Sequence, residues 1–324
     1  MERIGFESNW RLWIRRESDH IVLLRAESGD ECATLPDTLF SLPVTELYDH
    51  ALAPEAAPIG GEEVLLTCGA APEEYNNRSL KELSLPKALR KVGDYAFFNC
   101  RSLTTLKLYD SVTSWGGGVL MNCRELHRFH LTRLNDTQGE SLAYLVGELP
   151  NELHVTIENE DGSSYRLLFP DFIELYEENC PAHHFDYNIY GAGHPYHFVF
   201  REHSLSLASY DELFPAMLRV EHDPAAALRL AWWRIRTPYG LTEKAKAMYL
   251  AYLAAHEEAA LGLPLEEQDS EGLSLLLGCL NPARGSLSAA LRIARERQFT
   301  EASALLLEAQ HRLCGTGMNK TFDL

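Results

Sequence analysis

The sequence predicts a mixed α+β protein, in which a solenoid of short strands is followed by an α-helical domain. The first observation is an internal repeat of 23 residues between Leu80 and Leu131, with apolar residues in the pattern L-x-x-L-x-L. The second is a change to helical periodicity from Tyr210 onwards. The third is the pair Asp161-Gly162 between two alternating apolar segments, which predicts a hairpin at the end of the solenoid.

The repeat is defined by apolar residues that return at the same position of consecutive units. The matching sets are Leu80, Leu103 and Leu126, then Leu83, Leu106 and Phe129, then Leu85, Leu108 and Leu131, with Gly93 and Gly116, and Cys100 and Cys123, further along. The alternating L-x-L part of each unit predicts a short strand with one buried face. Leu89, Val92, Ala96 and Phe97 predict a short, irregular helical turn packed against the strands. Stacked units share one core, so the repeat array needs a cap at each end.

Two segments show the fuller pattern of the unit. One runs from Leu85-Pro86 through VGDYAF and Cys100 to Leu108, and the other is LPVTELYDHAL, from Leu42 to Leu52. They resemble the BspA-like class of bacterial leucine-rich repeats, and the resemblance covers about residues 31–131. It implies a right-handed leucine-rich solenoid that is used for protein or surface binding. The run Trp115-Gly116-Gly117-Gly118 departs from the family pattern, where a helical turn is usual.

The equivalent cysteines Cys100 and Cys123 are expected to stack one coil apart as small buried groups. A disulfide between them is the competing interpretation. All seven cysteines are scattered without a C-x-x-C pair, which is typical of reduced thiols.

The formal charge of the 324-residue chain is −18, from 47 acidic and 29 basic residues. Such an acidic surface repels phosphate groups, so neither nucleic acid nor an anionic membrane is an expected partner. No segment approaches the ~20 apolar residues that span a bilayer. The charged N-terminus does not resemble a secretory signal, so we expect a cytoplasmic location. Many proteins with this repeat type are exported, and removal of a leader would reverse that expectation.

We expect three parts along the chain. Residues 1–169 form the solenoid, which is capped at its start by a hairpin within residues 1–30. Residues 170–208 form a connector rich in aromatic residues and histidine, in which prolines break any long element. Residues 209–324 form an α-helical domain of about five helices. Its last two helices are somewhat like one ankyrin unit, although the T-P-L-H signature is absent.

The candidate binding residues flank the second leucine of the L-x-x-L-x-L pattern. Their side chains should point to the concave surface, because side chains alternate across a strand. In three consecutive units these residues are Glu82, Ser84, Thr105, Lys107, Arg128 and His130. Solenoids usually bind partners through such ladders, although a merely solvated face is the alternative. Lys107 and Arg128, joined by His130 below about pH 6.5, favour an acidic segment of an unknown protein partner.

A second candidate site is the stretch from residue 180 to residue 197. Cys180, His183, His194 and His197 are possible zinc ligands. No standard zinc spacing is met, and the interleaved aromatic residues favour partly buried histidines in a seam between domains. We therefore expect no metal or other cofactor.

The sequence favours a non-catalytic protein-interaction or scaffold module of bacterial type. The chain has no G-x-S-x-G motif, and no P-loop lysine follows Gly191-Ala192-Gly193. The alternative function is a metal- or ligand-binding protein centred on residues 180–197. A third interpretation is a subunit whose helical face docks permanently on another protein.

Overall fold

The leucine repeat forms a solenoid in the computed structural model of the chain, which describes residues 7–70, 72–134, 140–179, 184–220 and 224–315. The chain divides into two compact units, Met1–Val220 and Glu221–Leu324. The fold class expected from the sequence, a leucine-rich solenoid followed by helices, is confirmed. The three-part division at residues 169 and 208 stays a prediction.

The described residues of the first unit form the strands and three short helices. The strands are β1 (Trp10–Arg16), β2 (Ile21–Ser28), β3 (Cys32–Thr34), β4 (Thr38–Leu39), β5 (Leu42–Leu47), β6 (Glu62–Leu66), β7 (Glu82–Ser84), β8 (Lys91–Val92), β9 (Thr105–Tyr109), β10 (Ser114–Trp115), β11 (Arg128–Thr132), β12 (Leu153–Glu158), β13 (Ser164–Phe169), β14 (Ile173–Asn179), β15 (His184–Tyr190), β16 (Phe200–Arg201) and β17 (Ser204–Leu205). The helices are α1 (Ser141–Glu148), α2 (Leu207–Glu212) and α3 (Phe214–Val220), with a 3₁₀ helix at His194–Phe198.

The strands of the repeat stack in parallel with the register that the 23-residue period requires. The sheet order is β3, β7, β9, β11, β12 and β13, and only the last pair is antiparallel. Leu83 lies beside Leu106, and Leu106 lies beside Phe129. All three side chains are buried, and full burial of such a side chain is worth about 1.5–3 kcal/mol. The solenoid core is therefore a stack of equivalent apolar residues.

The second layer of each coil differs from the predicted helical turn. In its place the described residues form the two-residue strands β8 and β10, each followed by turns. These segments bond to the neighbouring coil, for example from the Tyr95 amide to the Gly117 carbonyl at 3.0 Å. The extended backbone is favoured because its amide and carbonyl groups form hydrogen bonds with the neighbouring coil. A single helical turn would leave most of these groups without a partner. The same layer accounts for the run that begins at Trp115 and departs from the family pattern. No helical turn is needed there, because Trp115 pairs with Val92 of the preceding coil as a strand residue.

The N-terminal hairpin of β1 and β2 caps the solenoid, as the sequence predicts. Strand β2 pairs in parallel with β5, where Leu23 lies beside Leu47. Leu47 in turn lies beside Val92, so residues 35–52 form the first coil of the stack. Strand β6 follows the loop after residue 52 and pairs with β1. Together these strands cover an edge that would otherwise be exposed.

Cys100 and Cys123 are packed thiols, and the disulfide alternative is wrong in this structure. The Cys100 thiol donates to the Leu52 carbonyl at 3.4 Å, and the Cys123 thiol donates to the Phe97 carbonyl at 3.1 Å. Burial raises the pKa of Cys123 to about 12 and that of Cys100 well above its usual value. Both side chains therefore stay protonated and fill the core.

The C-terminal end of the solenoid is the predicted hairpin of β12 and β13. Gly162 has a φ of +80° in the connecting turn, a conformation that glycine adopts without steric cost. Tyr165, Leu167 and Phe169 are buried along β13. The Tyr210 hydroxyl on α2 accepts from the Leu168 amide at 3.1 Å, so α2 covers this strand.

Residues 170–208 contain an element that the sequence analysis missed. Strands β14 and β15 form an antiparallel hairpin, in which Tyr176 lies opposite Tyr187. Pro170 and Pro195 lie outside both strands, so they do not interrupt the pairing. The alternation that signals a strand is hidden because apolar residues occur on both faces.

The second unit is helical, with α4 (Pro224–Arg236), α5 (Glu243–Ala255), α6 (Glu257–Glu266), α7 (Ser270–Leu280), α8 (Arg284–Glu296) and α9 (Thr300–Gly315). Thr242 caps α5, because its hydroxyl accepts from the Ala245 amide. About five helices were expected from residue 209 onwards, whereas the described residues form eight there, from α2 to α9. One of them, α6, carries Pro264 inside the helix.

Two tryptophans anchor the core of this unit. Trp232 and Trp233 are buried, and their indoles donate to opposite oxygens of Glu267 at 3.3 and 2.9 Å. The last two helices, α8 and α9, pack against each other as the predicted pair. Within the described ranges, no helix combines the length and apolar character that crossing a bilayer requires.

Candidate functional site

The outward face of the leucine sheet forms an open groove of about 630 Å³. All six residues that the sequence singled out line it: Glu82, Ser84, Thr105, Lys107, Arg128 and His130. The strand register places them in two rows across β7, β9 and β11. One row is Glu82, Thr105 and Arg128, and the other is Ser84, Lys107 and His130. Neighbouring members of a row are about 4.8 Å apart, because that is the spacing of paired strands.

The groove extends beyond the predicted residues. A third row consists of Tyr109, Thr132 and Glu158, which lie side by side and also line the groove. Cys32 of β3 lies beside Glu82 and extends the first row.

The sequence could have indicated this third row. Side chains alternate along a strand, so Tyr109 and Thr132 point to the same face as Lys107 and His130, two residues before them. Cys32 could not be found in this way, because β3 precedes β7 by more than the 23-residue period of the repeat.

Ion pairs neutralise part of the groove. Lys107 binds the Glu82 carboxylate, and Lys81 binds Glu31 at the rim with a nitrogen–oxygen distance of 2.6 Å. Arg128 is exposed and forms no ion pair with any residue of the described chain. Among the described residues, Arg128 is therefore the cation of the groove that is left without an ion pair, and Glu158 carries the opposite charge in the third row.

His130 adds less charge than expected. Burial lowers the pKa of its imidazole, and the neighbouring Lys107 lowers it further, while Glu158 and Glu82 oppose these effects. His130 therefore takes up a proton at a lower pH than the ordinary value of about 6.5 used in the sequence analysis. At neutral pH this side chain is a polar, uncharged group in the groove.

The His-rich stretch gives no complete metal site within the described residues. Cys180 and His183 lie outside them. The rings of His194 and His197 pack on Phe172, with centroid distances of 5.5 and 4.6 Å. In the described ranges, no three His, Cys, Asp or Glu side chains converge on a common metal position. Metal binding here stays the alternative to the expected absence of metal, and elemental analysis of the purified protein would test it.

The packing of His197 predicts a pH dependence. Burial lowers the pKa of His197 to about 4, whereas an unfolded histidine titrates near about 6.5. Between these values the unfolded chain binds a proton that the folded chain does not, so stability should fall as the pH falls through this window. We expect His197→Phe to reduce the slope of the urea midpoint between pH 6.5 and pH 4.

The control for this prediction is His203→Phe, because His203 is exposed. It should keep the wild-type slope. Equal slopes for the wild type and His197→Phe would show that His197 is not buried in its neutral form.

Comparison with known proteins agrees with the repeat pattern. Residues 72–147 match the family model of the BspA type leucine rich repeat region, in six copies. The chain is similar to the leucine-rich repeat protein TpLRR of T. pallidum, with 17% identity and a TM-score of 0.24 over 37% of this chain and 68% of that chain. It is also similar to a leucine-rich cell surface protein of Faecalibacterium prausnitzii A2-165, with 14% identity and a TM-score of 0.25 over 46% of this chain and 41% of that chain. No curated protein matches the chain.

Proposed function

We propose that the BspA-type repeat region is a non-catalytic protein-binding module that holds an acidic segment of its partner on the concave strand face. The observation that carries this proposal is the groove of about 630 Å³, in which equivalent residues of consecutive strands lie in aligned rows. Regularly spaced rows suit an extended partner segment, whose own side chains also recur at fixed intervals.

The groups in the groove account for the proposed preference. The planar guanidinium of Arg128 offers paired donors to a carboxylate. An ammonium group has three donors, so the bond from Lys107 to Glu82 leaves it able to bind a second carboxylate. Ser84 and the uncharged His130 lie on either side of Lys107 in its row and provide further hydrogen-bonding groups. The partner should therefore place a carboxylate over Lys107 and Arg128.

The proposal is tested by selecting random peptides on the full-length protein from a displayed library. Binding peptides should be enriched in Asp and Glu, and their affinities can then be measured by calorimetry. Lys107→Gln combined with Arg128→Gln should weaken binding about 5- to 30-fold, as expected for the loss of two partly exposed ion pairs. Glutamine removes each charge without adding a carboxylate beside Glu82.

The matched control combines Arg101→Gln with Arg124→Gln. These arginines are exposed in the turns before β9 and β11, and their replacement changes the net charge by the same amount. The control should bind as the wild type does. Peptides without acidic residues, or equal weakening by both double variants, would contradict binding in the groove.

A further inference from the structure

The hairpin of β14 and β15 exposes apolar side chains on both of its faces. Opposite residues share a face, so Ile173 and Tyr190 lie on one side and Tyr176 and Tyr187 on the other. Tyr176 is 70% exposed and stacks on Tyr187, with a centroid distance of 4.7 Å. The exposed apolar residues of the hairpin are Ile173, Leu175, Tyr176, Tyr187, Ile189 and Tyr190. Such a concentration is characteristic of a surface that meets another molecule.

Both strands also have an unpaired edge. Among the described residues, β14 and β15 pair only with each other and belong to no larger sheet. The outer edge of each strand therefore presents backbone donors and acceptors that a further strand can pair with. A two-stranded sheet is marginally stable alone and gains stability when a third strand is added.

The charges on the hairpin indicate the kind of strand that fits. Residues 167–200 include five acidic residues and no lysine or arginine. Glu177 lies directly opposite Asp186, so two carboxylates share one face of the hairpin. Like charges at opposite positions destabilise a strand pair. Neither carboxylate has an ion-pair partner in the described chain, so a cation from another molecule would relieve this repulsion.

We propose that the hairpin docks an extended basic segment of a partner protein, which adds as a third strand to a free edge. The segment would place lysine or arginine beside Glu177 and Asp186, and apolar residues against the tyrosines. A second copy of this chain is a poorer occupant, because two molecules with a formal charge of −18 repel each other. This surface is distinct from the groove, whose proposed ligand is acidic.

The test uses a labelled twelve-residue peptide of alternating lysine and valine, titrated with the full-length protein by fluorescence anisotropy. We expect saturable binding that weakens as salt is added. The same peptide with every internal amide N-methylated should not bind, because it lacks the donors for strand addition on both of its edges. A version with glutamate in place of lysine should also fail to bind.

Variants separate docking on the hairpin from attraction to an acidic protein as a whole. Glu177→Gln with Asp186→Asn removes the repulsion within the hairpin, so it should fold, and it should bind the lysine peptide about 3- to 30-fold more weakly. Glu73→Gln with Glu74→Gln makes the same charge change at exposed loop positions and should leave binding unaltered.

Four results would each overturn the proposal. The first is no binding of the lysine peptide, and the second is equal binding of the methylated peptide. The third is an equal loss of affinity in both double variants. Dimerisation of the peptide-free protein in sedimentation, strengthened by Glu177→Gln with Asp186→Asn, would assign the hairpin to contacts between copies and overturn it as well.

Discussion

Replacing Leu106 with alanine is expected to lower the free energy of unfolding by about 2–5 kcal/mol. Leu106 is fully buried and lies between Leu83 and Phe129 in the middle of the parallel sheet. Truncation would remove its apolar contacts and leave a cavity, because the coils on either side are held in place by the strand ladder. Urea unfolding followed by circular dichroism measures the change.

The control for this prediction is Lys107→Ala, one residue further along the same strand. Its side chain points into the groove, and its ion pair with Glu82 is partly exposed, so its loss should cost no more than about 1 kcal/mol. If Leu106→Ala lowered the free energy of unfolding no more than Lys107→Ala does, Leu106 would not face the core, and the assignment of the two faces of this strand would be wrong.

Gly116→Ala is expected to destabilise the solenoid by about 1–3 kcal/mol or more. A Cβ atom at this position would lie 2.5 Å from the Asp94 amide nitrogen and 2.6 Å from the Gly93 carbonyl carbon. Both atoms belong to the backbone of the neighbouring coil, so neither can rotate away as a side chain could. The coils would have to separate, and the bond from the Gly116 amide to the Val92 carbonyl would be strained.

The adjacent glycine provides the matched control. A Cβ atom on Gly117 would have its nearest neighbour, Oδ1 of Asp94, at 3.9 Å, which is an ordinary contact distance. Gly117→Ala should therefore change stability by no more than about 0.5 kcal/mol. If thermal melts of the two variants were the same, close approach of the coils at Gly116 would not be a requirement of the fold.

The sequence predicts the solenoid well because its period is carried by side chains that the fold buries. Leu83, Leu106 and Phe129 match in sequence and lie side by side in the sheet. Alternation then places the polar neighbours of these residues on the opposite face, and the structure gathers all six candidates in one groove. A single rule, the period of two in a strand, yields both the core and the candidate site.

Other features depend on contacts that no local pattern records. The second layer is extended because backbone bonds form between coils, which a sequence window cannot show. The hairpin of β14 and β15 is apolar on both faces, so it lacks the alternation of a half-buried strand. Helix α6 contains Pro264, which sequence rules treat as a helix breaker.

The electrostatics of the groove could be predicted only in part. The sequence identifies Lys107, Arg128 and His130 as cationic candidates. It does not reveal that Glu82 neutralises Lys107 or that burial lowers the pKa of His130. Both effects depend on the orientation and burial of individual side chains. These differ between residues that occupy equivalent positions in consecutive repeats.

The most direct test of the central proposal is hydrogen–deuterium exchange of the full-length protein with and without a selected acidic peptide. Binding on the concave face should slow exchange in β7, β9 and β11, whose side chains form the groove. Exchange in α4–α9 should stay unchanged. Protection confined to those helices, with no change in the three strands, would contradict a binding role for the leucine sheet.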